Sequence, residues 1–122
     1  MDDKGRGILH MKMELKDRTL IAHIDGELDH HSAQIIRAEL DGAIDRQAVR
    51  NLIFDFSKLS FMDSSGIGVI VGRYKKIKMK NGEVLVVCNT PRVDKLLSAS
   101  GLKKLLSVNK TLSSALKKVK GA

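Results

Sequence analysis

The sequence predicts an α/β fold: one domain built on a mixed, mostly parallel sheet of about five strands with about four helices. Three observations carry that prediction. Apolar runs of strand length, RNLIFDF at 50–56 and EVLVVC at 83–88, alternate with longer segments whose apolar residues recur at helical spacing. Strands that alternate with helices need crossover connections, and crossovers join parallel neighbours. The length, 122 residues, fits one hydrophobic core and leaves little room for a second.

The elements follow in order. Residues 8–15, ILHMKMEL, and 19–24, TLIAHI, lean toward apolar–polar alternation on either side of the polar KDR, so the chain opens with a hairpin, a strand-rich start over about 8–25. GELD then breaks the pattern. From about Ser32, the residues Ala33, Ile36, Leu40 and Ile44 share one helical face, opposite Arg37, Glu39 and Asp41. Asp29, His30, His31 and Ser32 supply start signals for that helix. RNLIFDF is short and apolar enough to be a central, buried strand. LSFMDSS reads as a loop into a second helix from about Ser64 to Lys80, with Ile67, Ile70, Val71, Tyr74 and Ile77 at helical spacing and Asn81-Gly82 as its stop. EVLVVC is another buried strand. Thr90-Pro91 opens a third helix, with Val93, Leu96 and Leu97 inward and an end near Gly101. Leu105, Leu106 and Val108 form a short last strand, and TLSSALKKV at 111–119 a closing amphipathic helix.

Charge is unevenly placed. The formal net charge is +8, yet residues 1–61 hold 9 basic and 11 acidic side chains, and residues 62–122 hold 13 and 3. A basic half attracts nucleic acid, anionic membrane or an acidic protein. A patch of Arg73, Lys75, Lys76, Lys78 and Lys80 is the alternative reading, a nucleic-acid-binding face. It is disfavoured: three Phe, one Tyr and no Trp give no stacking platform, and no zinc-finger spacing is present. No apolar run approaches the roughly 20 residues of a membrane span, and MDDKGRGILH lacks the apolar centre of a signal peptide. A soluble, cytoplasmic protein without a membrane partner is expected, with the lone Cys88 a buried, reduced thiol.

FMDSSGIGVIVGRYKKIK, residues 61–78, poses the functional question. Gly66, Gly68 and Gly72 are spaced G-x-G-x-x-x-G, one residue too long for a dinucleotide fingerprint, and no Walker lysine follows. Gly68 and Gly72, one turn apart, read instead as positions of close packing on the sheet. There is no G-x-S-x-G elbow, and His10, His23, His30 and His31 all precede Ser64, which disfavours a hydrolase. Asp29, His30 and His31 make no metal site, because adjacent helical residues diverge by about 100° and no second cluster completes a coordination shell. No metal, cofactor or catalytic activity is expected. Two roles remain for the Asp63-Ser64-Ser65 junction. One is helix capping by Asp63 or Ser64. The other is acceptance of a phosphate where backbone donors and the helix dipole stabilise it, and the two are compatible. Functional loops of α/β sheets gather beyond the carboxyl ends of strands, where GELDHH and LSFMDSS are expected to lie side by side.

GELDHH, followed at this distance by LSFMDSSGIGVIVGRYK, resembles the anti-sigma factor antagonists of the STAS domain family, and among them the sporulation (sigma-F pathway) antagonists of endospore-forming bacteria. The likeness covers nearly the whole chain, so residues 1–122 are taken as a single STAS domain with a phosphoacceptor loop at about 60–68. It implies a partner switch. The unphosphorylated protein would bind an anti-sigma factor that is also an ATP-dependent serine kinase, in its ATP- or ADP-bound form, and free the sigma factor. Phosphorylation of Ser64 would end the association, a serine phosphatase would restore it, and the free protein would be a monomer. The resemblance also assigns partner contacts. Asp63, Ser65, Gly66 and Gly68 belong to the acceptor turn, Asp29 and His30 to the facing wall, and Arg73, with Tyr74, to the GRYK pattern. The strongly basic C-terminal half and the residues ahead of the first strand depart from the family pattern.

Overall fold

Side-chain alternation along the central strands decides which helices cover which face of the sheet. The computed structural model describes residues 9–121; Ile8, assigned to the first strand from sequence, and the charged segment before it lie outside them. The elements are β1 (His10–Lys16), β2 (Thr19–Leu28), α1 (His30–Arg46), β3 (Asn51–Asp55), β4 (Leu59–Met62), α2 (Ser64–Lys78), β5 (Val84–Val87), α3 (Pro91–Ala99), a 3-10 turn (Leu102–Lys104), β6 (Ser107–Asn109) and α4 (Leu112–Gly121). The strands lie in the order β1-β2-β3-β5-β6. β1 is antiparallel to β2 and the remaining pairs are parallel.

Leu20, Ala22, Ile24, Leu52, Phe54, Val84 and Val86 point to one face. There they meet Ile36 and Leu40 of α1, Val69 and Ile70 of α2, and Val93 and Leu97 of α3 in the main core. The alternate residues Ile21, Ile53, Leu85 and Val87 point to the other face, where α4 alone covers them with Ala115, Leu112, Leu116 and Val119. Beyond Ile21, the β1 side of this second face has no helix over it among the described residues. Lys16 opposite Thr19, Glu14 opposite Ile21 and Lys12 opposite His23 share that side of the hairpin. Charged residues along β1 also blunt an edge that could otherwise recruit a further strand.

The sheet has six strands rather than five. LSFM, expected as a loop, is β4, and GEL, expected to end β2, is the part of β2 that pairs with it. β3 stops at Asp55, opposite His23. Beyond it Gly26, at φ 96°, bends β2 in a way side-chain-bearing residues resist. The last residues of β2 then pair in parallel with β4, through Glu27 with Phe61 and Leu28 with Met62. The Ser60 hydroxyl fastens the bend by donating to the Gly26 carbonyl at 2.9 Å. Alternation did not signal this strand because Leu59 and Met62, three apart, are both buried. The last strand is also shifted from its expected place. Leu105 follows the 3-10 turn and is exposed, and β6 begins at Ser107.

Gly68 and Gly72 do not pack on the sheet. A Cβ at either would meet no atom within 4 Å. The buried stripe of α2 runs through Gly66, Val69, Ile70, Arg73 and Ile77, and the two glycines lie off it.

Candidate functional site

β2 and β4 end level with one another, and a helix begins immediately after each. Leu28 pairs with Met62, and the Asp63 N–H donates to the Leu28 carbonyl at 3.3 Å. The next residue on each strand, Asp29 and Asp63, is the N-cap of α1 and of α2. Two helix N-termini, each with its exposed backbone donors and a carboxylate, therefore open on the same edge of the sheet. The two segments expected to adjoin do so through a strand pairing rather than as neighbouring loops.

The Asp29 carboxylate accepts from the backbone N–H groups of His31 and Ser32, both at 3.0 Å, while the Asp29 N–H donates to the Ser32 hydroxyl at 3.0 Å. This is a reciprocal capping box closed by serine. The Ser32 N–H, together with the Ser32 hydroxyl and the His31 N–H, holds the Asp29 carboxyl below the usual range despite partial burial. His30, the first residue of α1, is exposed, with its ring edge-on to His31 at 5.8 Å between centroids.

At α2 the cap is Asp63, whose carboxylate accepts the Ser65 N–H at 2.8 Å. Ser64 is the first helical residue, is exposed, and its hydroxyl has no hydrogen-bond partner among the described residues. The capping question is thus divided: Asp63 caps and Ser64 is left over. Gly66 fixes the approach of this turn to the strands. A Cβ there would collide with the Met62 side chain and stand 3.1 Å from Leu28 Cδ2. Gly68, one residue beyond Ile67, leaves a bare stretch of α2 open to solvent.

Arg73 lies away from this edge. Its side chain is 9% exposed and its Nε sits 3.1 Å from the Asp41 carboxylate of α1. Lys76 reaches Asp45 at 3.0 Å and Asp41 at 3.6 Å, and Lys80 donates to the Ile44 carbonyl at 3.5 Å. Residues 73, 76 and 80 fall on one side of a 3.6-residue helix and residues 75 and 78 on the other. The five cations read from sequence as one patch are therefore split, and three are engaged by α1. The single basic face read over residues 73–80 is not formed.

Sequence reading missed two features, one beside the site and one on the second face of the sheet. The Arg92 guanidinium, in the first turn of α3, lies 5.7 Å from the centre of the Phe61 ring, three residues before Ser64. Its signal was the Thr90-Pro91 helix start, which places Arg92 at the carboxyl edge of the sheet. The second is His23, clamped between Asp55 (Nδ1 to Oδ2, 2.7 Å) and Glu14 (Nε2 to Oε1, 2.8 Å). Burial opposes a charged ring there, but the hydrogen bonds it donates to Glu14 and Asp55 outweigh it and raise the His23 pKa above its ordinary 6.5. With both ring nitrogens engaged, His23 is no base for Ser64. Among the described residues no group of three or more His, Cys, Asp or Glu side chains is arranged to hold a metal ion. No helix among them is long and apolar enough to cross a membrane. Cys88 is buried, and that burial raises its thiol pKa.

What the arrangement offers is a binding edge with an exposed hydroxyl at Ser64, framed by two carboxylates. Residues 10–115 match the STAS domain family. The chain is 43% identical over 100 residues to the anti-sigma F factor antagonist of Paenibacillus polymyxa, covering 82% of this chain and 86% of the relative. Its fold matches the anti-sigma factor antagonist SpoIIAA in its unphosphorylated form with a TM-score of 0.83 and 35% identity, over 93% of this chain and 98% of the other. The Bacillus cell fate determinant SpoIIAA in the phosphorylated form matches with a TM-score of 0.74 and 33% identity, over 90% and 99% of the two chains.

Proposed function

The chain belongs to the STAS domain family, and we propose that it is an anti-sigma factor antagonist, a regulatory binding protein whose partner docks across the paired N-termini of α1 and α2. The partner is an anti-sigma factor with serine kinase activity, bound in its ATP or ADP form in the cytoplasm, and docking frees the sigma factor. Ser64 is the phosphoacceptor, and a serine phosphatase reverses the modification. The free protein is a monomer, needs no cofactor and has no catalytic residue of its own.

The observation that carries this reading is the exposed hydroxyl of Ser64, without a hydrogen-bond partner among the described residues, directly after a residue that already caps the helix. A kinase needs a hydroxyl free of competing hydrogen bonds. A helix N-terminus tolerates the product, because its backbone N–H groups and dipole favour an anion. Phosphorylation adds about −1.5 to −2 charges, next to Asp63 and on the edge shared with Asp29. A partner fitted to the uncharged edge then meets a concentrated negative field and leaves, while the fold that carries the edge stays intact. Asp29, His30, Ser65, Gly66 and Gly68 line or shape the docking edge. Arg73 contributes by holding α2 against α1.

Affinity capture with the unphosphorylated protein, in the presence of ADP or ATP, followed by mass spectrometry tests the reading. An anti-sigma factor kinase is expected among the captured proteins, with a mass gain of about 80 Da on the antagonist when ATP is present. The gain is expected to survive Ser65→Ala and to vanish in Ser64→Ala. Modification that persists in Ser64→Ala places the acceptor elsewhere.

A further inference from the structure

The uncovered side of the second sheet face ends in a groove that the partner switch does not use. It runs along the flank of α4 and encloses about 660 Å³. One wall is α4, mostly aliphatic, with Leu112, Leu116 and Val119 beside Ser113. The floor is the start of β2 and β3, with Thr19 and Asn51, and the far end is closed by the turn between β1 and β2. Among the described residues Lys16, Arg18, Arg50 and Lys117 stand around it, against a single acid, Asp17.

This end of the molecule is built before any ligand arrives. Asp17 and Arg18 hold the tight turn at φ 47° and 69°. The Arg18 carbonyl accepts the N–H groups of Arg50 at 2.7 Å and of Asn51 at 3.2 Å, which ties the turn to β3. The Asn51 side chain joins Thr19 at 3.4 Å and accepts the Glu83 N–H at 2.9 Å. The Arg50 guanidinium donates to the Asn81 carbonyl at 3.3 to 3.4 Å, so its cation is held at the rim. A preformed site binds without the cost of ordering its walls.

We propose that this groove binds a single-chain anionic amphiphile, its hydrocarbon tail along the Leu112–Leu116–Val119 wall and its carboxylate or phosphate among the rim cations. Size and charge together choose that occupant. The volume lies within the range that holds one small molecule. Among the described residues four cations stand against one acid and select an anion, and the Leu112–Leu116–Val119 stretch of the wall selects a tail rather than a sugar or a base. Because the groove lies at the amino ends of β2 and β3, opposite the edge that carries Ser64, both can be occupied at once.

Titration of the full chain with dodecanoate below its micelle concentration, followed by amide chemical shifts, tests the proposal. Dodecanol supplies the tail without the charge, and inorganic phosphate the charge without the tail. Saturable one-to-one binding is expected for dodecanoate, with shifts confined to residues 16–19, 50–51 and 112–119, and at least tenfold weaker binding of dodecanol and of phosphate. Lys16→Glu/Lys117→Glu changes two exposed side chains and is expected to keep the circular dichroism spectrum while weakening dodecanoate at least tenfold. Equal affinity for dodecanol, equal affinity in that variant, shifts elsewhere, or no saturation would each overturn the proposal. So would concentration-dependent shifts at the same residues without ligand, which would give the groove to a second copy of the chain.

Discussion

Because Asp63 supplies the cap of α2, the hydroxyl of Ser64 is spared that work, and the two neighbours should behave differently when truncated. Asp63→Ala removes the acceptor of the Ser65 N–H and is expected to cost about 1 kcal/mol of stability. Ser64→Ala removes a side chain with no partner among the described residues and is expected to stay within about 0.5 kcal/mol of the parent. Urea unfolding midpoints compare them, and an equal loss in both variants would mean that the serine shares the cap. A second prediction at this scale concerns His23. Its raised pKa means that the folded state favours the protonated ring, so this contribution is complete below the ordinary value of 6.5 and is lost as pH rises through the raised value. Burial works against the charged forms of Glu14 and Asp55. The hydrogen bond from His23 dominates at Glu14, the bonds from Ser57 and His23 outweigh burial at Asp55, and both pKa values are lowered from 4.5 and 3.8. Their contribution is present above those values and fails as pH falls through the lowered ones. The clamp is therefore fullest between about pH 4.5 and 6.5. His23→Gln is expected to lose about 1.5 kcal/mol at pH 6 and much less at pH 9. A stability difference independent of pH would remove the charged ring from the account.

Among the elements, α2 separates the requirements of folding from those of docking. Gly66 is needed where it stands, since any side chain there meets Met62 and Leu28. Gly68 meets nothing, and glycine inside a helix costs roughly 0.5–1 kcal/mol relative to alanine. Gly68→Ala is therefore expected to raise stability by that amount. If the bare surface beside the Ser64 turn is where the partner sits, the same variant also binds less well. Higher stability with undiminished capture would take Gly68 out of the docking edge. The sequence stated much of this architecture and not all of it. Helical periodicity made α1 and α2 legible, because each buries one stripe and exposes the rest. The central strands were legible as apolar runs between turn residues. β4 was not, because its pairing with the end of β2 depends on the bend at Gly26 and leaves no alternation in LSFM. Ser64 stood out only through the residues around it. That the cap falls on Asp63 is a matter of backbone geometry, which composition does not encode. The Glu14–His23–Asp55 clamp was invisible for another reason: its members come from three strands, and only the strand register brings them to one face.

For the whole molecule the decisive question is whether negative charge at Ser64 changes the fold or only its welcome to a partner. Nothing in the main core depends on the Ser64 side chain. The first turn of α2 is held by Asp63 and by Gly66 against Met62, and the helix is held to α1 through Arg73 and Asp41. An acid at the first helical position gains from the dipole about what it loses to Asp63 beside it, each being worth a few tenths of a kcal/mol to about 1 kcal/mol. Ser64→Asp is therefore expected to melt within about 2 °C of the parent while binding the anti-sigma factor at least about tenfold less tightly, a loss of about 1.4 kcal/mol. Ionic strength then separates charge from shape. Exposed charges are screened over about 8 Å at physiological salt and about 3 Å at 1 M. If repulsion drives release, Ser64→Asp recovers part of its affinity relative to the parent as salt is raised, whereas Ser64→Leu, bulky but neutral, does not. A deficit in Ser64→Asp that ignores salt and is matched by Ser64→Leu would make the release steric, and the framing carboxylates of Asp29 and Asp63 would then have no part in it.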